Sequence, residues 1–148
     1  MKLNSQTCTT KEQSERLLAL GLKKETADCI LAENPFYSNE YIMLPLADDG
    51  SNLGDAIPSW SLNRLIEILP DEITIPDTGD NDGYEGELED LILEPTLFKK
   101  SVNYSDGYST IFFEDHDNVY DNIIDCIKWL IEKEQFNKEY LEEQICGN

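Results

Sequence analysis

Apolar side chains recur along this chain at two different periods, and the switches between them mark out its elements. Val119, Tyr120, Ile123, Ile124, Ile127, Leu130 and Ile131 return every three to four positions. That is a full apolar stripe, and it predicts a long helix over 118–134, capped by Asp117 or Asn118. Near the start, Thr10-Lys11-Glu12-Gln13 has the form of a capping box. Leu17, Leu18 and Leu20 follow, and Gly21 stands where a helix ends on glycine, so a first helix is predicted over 11–20. Residues 24–32 carry Ala27, Ile30 and Leu31 at helical spacing, and Asn34-Pro35 would end such a helix, because the residue before proline avoids the α region. A third helix is predicted over 59–69. Ser59 is its N-cap, Leu62, Leu65, Ile66 and Leu69 form one face, Pro70 closes it, and Trp60 packs inward at the first turn.

Between the last two helices the period changes to two. Glu72-Ile73-Thr74-Ile75 alternates as a half-buried strand does. Leu88, Leu91, Ile92 and Leu93 suggest a second strand that ends at Pro95, and residues 98–104 and 108–113 flank Ser105-Asp106-Gly107. Asp-Gly between β-prone runs is a strong hairpin signal. Residues 41–44 read as a short strand that Pro45 confines to a sheet edge. Strands in succession flanked by helices argue an α+β fold: an antiparallel three- to four-stranded meander covered by a long C-terminal helix, with short N-terminal helices. The length of 148 residues suits a single domain spanning 1–148. Residues 76–90, PDTGDNDGYEGELED, read as an acidic, mobile insert within it.

Composition narrows the function. Apolar residues make up 40% and aromatics 9%, well above a disordered composition, so a folded core is expected. The net charge is −20, where a small domain is comfortable at a magnitude of roughly 2–8. Such a field repels phosphate and anionic lipid, which excludes direct nucleic-acid binding and membrane association, and it attracts cations and basic protein surfaces. The chain opens MKLNSQ without an apolar signal segment, and no run approaches the ~18 apolar residues of a membrane span. The expected compartment is the cytoplasm, with the four cysteines Cys8, Cys29, Cys126 and Cys146 reduced. None forms a CxxC pair, and Cys29 and Cys126 read as small core residues inside helical patterns.

The stretches RLLALGL, IPSWSLNRLIEILP and NIIDCIKWLIEKE, together with the hairpin, resemble a family of small uncharacterised proteins carried by phages and mobile elements of gut bacteria. The resemblance spans residues 17–134 and rests on packing motifs. No activity is known for that family, so it implies a bacterial, cytoplasmic, accessory-gene setting and carries over no catalytic residue. The acidic insert departs from the family pattern and is the feature most particular to this chain.

Chemistry can be tested residue by residue. A calcium loop needs oxygens at positions 1, 3, 5 and 12 around a glycine at 6. With Gly83 at position 6, Asp80, Asp82 and Glu89 fit, but Thr78 replaces the first acid and Ile73-Thr74-Ile75-Pro76 reads as strand, where an entering helix is required. Weak divalent-cation (calcium) binding through the 78–89 loop, with metal ligands Asp80, Asp82 and Glu89, is therefore the alternative reading. His116, the one histidine, lies between acids that favour its charged form, the wrong state for a general base. No nucleophile elbow, phosphate-binding glycine loop or zinc motif is present, so the expectation is a protein without catalytic residues or cofactor.

Two features point to binding. Phe36, Tyr37 and Tyr41 cluster in an irregular segment and resemble interface anchors, whereas Phe112 and Trp129 read as core aromatics. From Leu65 to Phe98 there are eleven acids and no Lys or Arg. The preferred reading is a non-catalytic protein–protein interaction module that presents an anionic face (Asp77, Asp80, Asp82, Glu85, Glu87, Glu89 and Asp90, with Tyr37 and Tyr41) to a protein partner with a basic surface. Its sharper form is a nucleic-acid mimic. Micromolar calcium is expected to leave the melting temperature unchanged. A rise at micromolar calcium, abolished in Asp82→Ala, would establish a true calcium loop instead, since a ligand of the native state raises stability by mass action.

Overall fold

The computed structural model describes residues 6–34, 36, 41–47, 54–76, 90–98, 100–107, 110–111 and 118–143. They form two compact units. The first takes the described chain up to Ile68 and the residues from Asn137 onward, and the second runs Leu69–Phe136.

In the first unit, helix α1 (Lys11–Ala19) starts on the predicted capping box. The Gln13 N–H donates to Thr10 Oγ1 at 3.2 Å and the Thr10 N–H donates to Gln13 Oε1 at 3.0 Å. The helix ends where Gly21 turns left-handed, with φ +98°. There the Leu22 N–H donates to the Leu17 carbonyl at 3.2 Å and the Gly21 N–H to the Leu18 carbonyl at 3.0 Å. These are the paired bonds of a Schellman ending, which favours glycine at the left-handed position. Leu17 and Leu22 are buried on that turn. A 3₁₀ turn, Lys138–Tyr140, is stitched alongside: the Lys23 N–H donates to the Tyr140 carbonyl at 2.8 Å, and the Glu142 N–H to the Gly21 carbonyl at 2.7 Å.

Residues 24–32 correct one expectation. They hold a 3₁₀ turn, Lys24–Thr26, and then strand β1 (Cys29–Glu33), not a second helix. Ala27, Ile30 and Leu31 satisfy helical spacing, but over so short a window a continuous apolar run fits a buried strand equally well. Pairing decides it. Strands β2 (Tyr41–Pro45) and β3 (Ile57–Ser59) lie antiparallel on either side of β1, so that Ile30 faces Leu44 across one edge and Pro58 across the other. Cys29 is thus a strand residue, not a helical one. Pro45 and Pro58 both occupy outer strands, where a missing N–H is tolerated. Helix α2 (Leu62–Glu67) is shorter than predicted. Ser59 is taken up by β3, and Ser61 becomes the cap, accepting the Arg64 N–H at 3.2 Å.

The second unit bears out the α+β expectation. Strands β4 (Ile73–Ile75), β5 (Leu91–Leu97), β6 (Val102–Ser105) and β7 (Thr110–Ile111) form an antiparallel meander in the order β4-β5-β6-β7, followed by the long helix α3 (Val119–Glu132). Strand β5 runs through Pro95 instead of ending there. Strand β4 flanks Leu91 to Leu93, and β6 flanks Glu94 to Leu97. Among the described residues Pro95 therefore has a strand neighbour on one side alone, as proline in a sheet requires. The predicted hairpin forms across Asp106-Gly107, with Gly107 at φ +94° and Ser105 paired to Thr110.

Helix α3 is capped by Asn118, whose Oδ1 accepts the Tyr120 N–H at 2.8 Å. Its inner face joins the sheet through a buried bond, the Val102 N–H donating to Asn122 Oδ1 at 2.7 Å. Ile123, Ile124, Cys126, Ile127 and Leu130 are buried along the predicted stripe, while Trp129 is half-exposed. Tyr104 is wholly buried and its hydroxyl donates to the Pro70 carbonyl at 2.7 Å.

Burial pushes the Cys126 thiol from 9.0 up to about 12. It also raises the Tyr104 phenol, with Cys126 and Asp71 adding to the effect. A raised folded value means the native state keeps protons that the unfolded chain has lost, so stability falls as pH rises. Unfolding of this unit is expected to become easier between pH 9 and pH 12, by at most about 1.4 kcal/mol per pH unit from Cys126. Urea titrations across that range should show a shallower slope in Cys126→Ala.

Candidate interaction surface

The first unit is organised around a buried seam of hydroxyl groups. Thr9, Ser14 and Ser59 are all buried. The Ser59 hydroxyl directs its hydrogen to the Thr9 carbonyl at 2.8 Å. Its 3.0 Å contact with Thr9 Oγ1 therefore has Thr9 as donor, and the 2.7 Å contact between Thr9 and Ser14 has Ser14 as donor. Thr9 Oγ1 also accepts the Trp60 N–H at 3.0 Å, and the Trp60 carbonyl accepts the Thr9 N–H at 2.9 Å. The Trp60 indole N–H reaches Thr26 Oγ1 at 2.9 Å. Next to it, the Asp28 carboxylate accepts the Ser61 N–H at 2.8 Å and also the Ser61 hydroxyl. The buried hydroxyls of Thr9, Ser14 and Ser59 and both N–H groups of Trp60 thus have partners, as burial demands.

Two thiols lie beside this seam. Cys8 bridges to Ser61 and Cys29 pairs with Ser59, which brings Cys8 Sγ within 2.8 Å of Cys29 Sγ. Burial raises both thiol pKa values, and the charge of Asp28 adds to this.

Strand β2 is the outward part of the unit. Ile42, Met43 and Leu44 are 41%, 40% and 42% exposed, and Phe36 upstream is 86% exposed. Successive strand residues point to opposite faces, so Ile42 and Leu44 expose one face and Met43 the other. Tyr41, half-buried, pairs across the sheet with Glu33. The Lys11 ammonium lies 5.6 Å from the centre of its ring, within cation–π range. Tyr41 first, and then Glu15 and Glu33, hold Lys11 above its ordinary pKa. Beside Tyr41 is an open depression of about 360 Å³ with an apolar floor of Leu31, Ala32, Ala56 and Ile57 and the exposed acids Glu33 and Asp55 at its rim. A second depression in this unit has mixed charge at its rim, from Lys23, Arg64, Glu25, Glu67 and Glu139, and within it Arg64 pairs with Glu67 at 3.0 Å.

Of the residues singled out in the sequence, Tyr41 lies on this surface, and Asp90 is exposed just before β5 in the other unit. Asp77, Asp80, Asp82, Glu85, Glu87, Glu89, Tyr37, Phe112 and His116 lie outside the described residues. Among the described residues no group of three or more His, Cys, Asp or Glu side chains is placed to hold a metal ion, and no helix is long and apolar enough to cross a membrane. In the second unit, Ile92, Leu97 and Phe98 are exposed apolar residues of β5 and its exit.

No family model, no curated protein and no solved structure matches the chain. The site is accordingly argued from its geometry. Sequence reasoning singled out Tyr41 and missed Ile42, Met43 and Leu44, whose signal was the predicted edge position beside Pro45. It also missed the hydroxyl seam and the paired thiols, for which no local spacing exists.

Thr9→Val keeps the shape of the side chain but leaves the Trp60 N–H and the Ser14 hydroxyl without their acceptor. A loss of about 2–3 kcal/mol is expected, larger than for Ser14→Ala. Urea unfolding followed by tryptophan fluorescence measures it.

Proposed function

We propose that this chain is a non-catalytic protein–protein interaction module that engages a partner with a basic surface. The observation that carries the reading is strand β2, an edge strand among the described residues that exposes three successive apolar side chains. Edge strands take up an extended partner segment through main-chain hydrogen bonds, and exposed apolar side chains supply contact area. The net charge of −20 sets the sign of the partner and speeds its approach. Tyr41, Glu33 and Asp55 favour a lysine or arginine at one end of the strand, and the ring already holds one ammonium, that of Lys11. The cytoplasm of a bacterium carrying a phage or mobile element is the setting that goes with this reading, through the family that the sequence resembles. Mimicry of nucleic acid is its sharper form. The calcium alternative rests on the spacing of Asp80, Asp82 and Glu89 alone.

The experiment is capture of a basic partner from a bacterial extract by wild type and by an Ile42→Asp/Leu44→Asp double variant. Wild type is expected to retain the partner at low salt and to lose it as ionic strength rises through ~0.15 M, where the Debye length is about 8 Å. The double variant, with an unchanged melting temperature, is expected to capture none. Equal capture by both proteins, or capture indifferent to salt, would overturn the proposal.

A further inference from the structure

The paired thiols of Cys8 and Cys29 belong to no part of the proposed interaction surface. Cys8 stands in the extended segment before α1, and Cys29 opens β1. Their sulfurs are 2.8 Å apart, although the residues are 21 positions apart in sequence. That separation is well inside the distance at which two non-bonded sulfur atoms rest, and only about 0.8 Å longer than an S–S bond. Both backbones are held: Cys8 by its bridge to Ser61 and the bond from the Thr9 N–H to the Trp60 carbonyl, Cys29 by its registers with Ser59 and Pro45. Cys8 is buried and Cys29 half-exposed, so Cys29 is the more accessible residue of the pair.

The geometry points to a disulfide site at Cys8 and Cys29, formed by exchange with a low-molecular-weight disulfide. The thiolate of Cys29 attacks one sulfur of the reagent, forming a mixed disulfide and releasing one small thiol. The thiolate of Cys8 then attacks Sγ of Cys29, the bond to the reagent sulfur breaks, and a second small thiol leaves. Two protein thiols are oxidised, one reagent disulfide is reduced to two thiols, and the two protons go to those thiols. Burial and the Asp28 carboxylate hold both cysteines protonated. The exchange is therefore slow at neutral pH, because only the thiolate is a nucleophile. The bond closes a loop that contains the whole of α1 and the Lys24–Thr26 turn. It removes conformational freedom from the unfolded chain, and that is the main source of its stabilising effect.

The test incubates the full chain to equilibrium at pH 8 with oxidised glutathione in excess, then alkylates the remaining thiols and maps the peptides by mass spectrometry. The expected product has Cys8 linked to Cys29, with Cys126 and Cys146 alkylated. It is expected to melt roughly 5–10 °C higher than the reduced protein, the range that such a loop implies for a chain of this size. A Cys126→Ser/Cys146→Ser double variant should give the same link, and its reduced form supplies a folded control. Glutathione retained on Cys8 or Cys29, a link involving Cys126 or Cys146, or four free thiols at equilibrium would each overturn the assignment. So would a Cys8–Cys29 link that leaves the melting temperature unchanged.

Discussion

A buried tryptophan whose backbone and indole N–H groups all need partners is the constraint around which the first unit is built. Trp60 is wholly enclosed, and its polar atoms are met by Thr9 and Thr26, residues 51 and 34 positions away in sequence. Thr9 can serve it only because Ser14, one turn into α1, and Ser59, at the end of β3, complete the proton count around its hydroxyl. Helix α1, the segment before it and β3 are thereby held in one register. A buried polar group left without a partner costs more than the bond is worth when made, so such a seam tolerates few other arrangements. The close approach of Cys8 to Cys29 follows from the same register, since each is placed by its pairing with the chain on either side of Trp60.

The second unit is held differently. Its meander and α3 share an apolar interior, with Leu93, Val102, Tyr104, Ile123, Ile127 and Leu130 buried. A buried polar bond ties helix to sheet within it, where Asn122 accepts the Val102 N–H. Close packing of this kind is sensitive to volume more than to the identity of each residue. The raised thiol and phenol of Cys126 and Tyr104 follow from that interior, because removal from water disfavours their charged forms.

The interaction reading joins two properties that arise at different levels. Charge belongs to the whole chain and acts at a distance, steering encounter without defining a contact. In the proposed reading, contact falls to the exposed apolar residues of β2 and the ring of Tyr41, where a partner would rest. Lys11 over Tyr41 is an internal instance of the recognition proposed for a partner's basic side chain.

Much of the secondary structure was legible along the chain. The capping box at Thr10, the glycine at position 21, the stripe of α3 and the Asp-Gly hairpin each depend on neighbours within a few positions, and local rules therefore found them. The strand character of residues 29–33 was not legible, because a short apolar run takes its conformation from the strands beside it, and these lie 8 to 30 positions away in register. The same distance hid the role of Ser59, which reads as a helix cap until β3 takes it and passes the cap to Ser61. Sequence by itself determined the class of fold, the sign of the field and the edge position of β2, since composition and proline placement are local facts. Only the tertiary structure decided which hydroxyls meet, which thiols pair and which apolar residues stay in water, because each of those depends on chain segments brought together by folding.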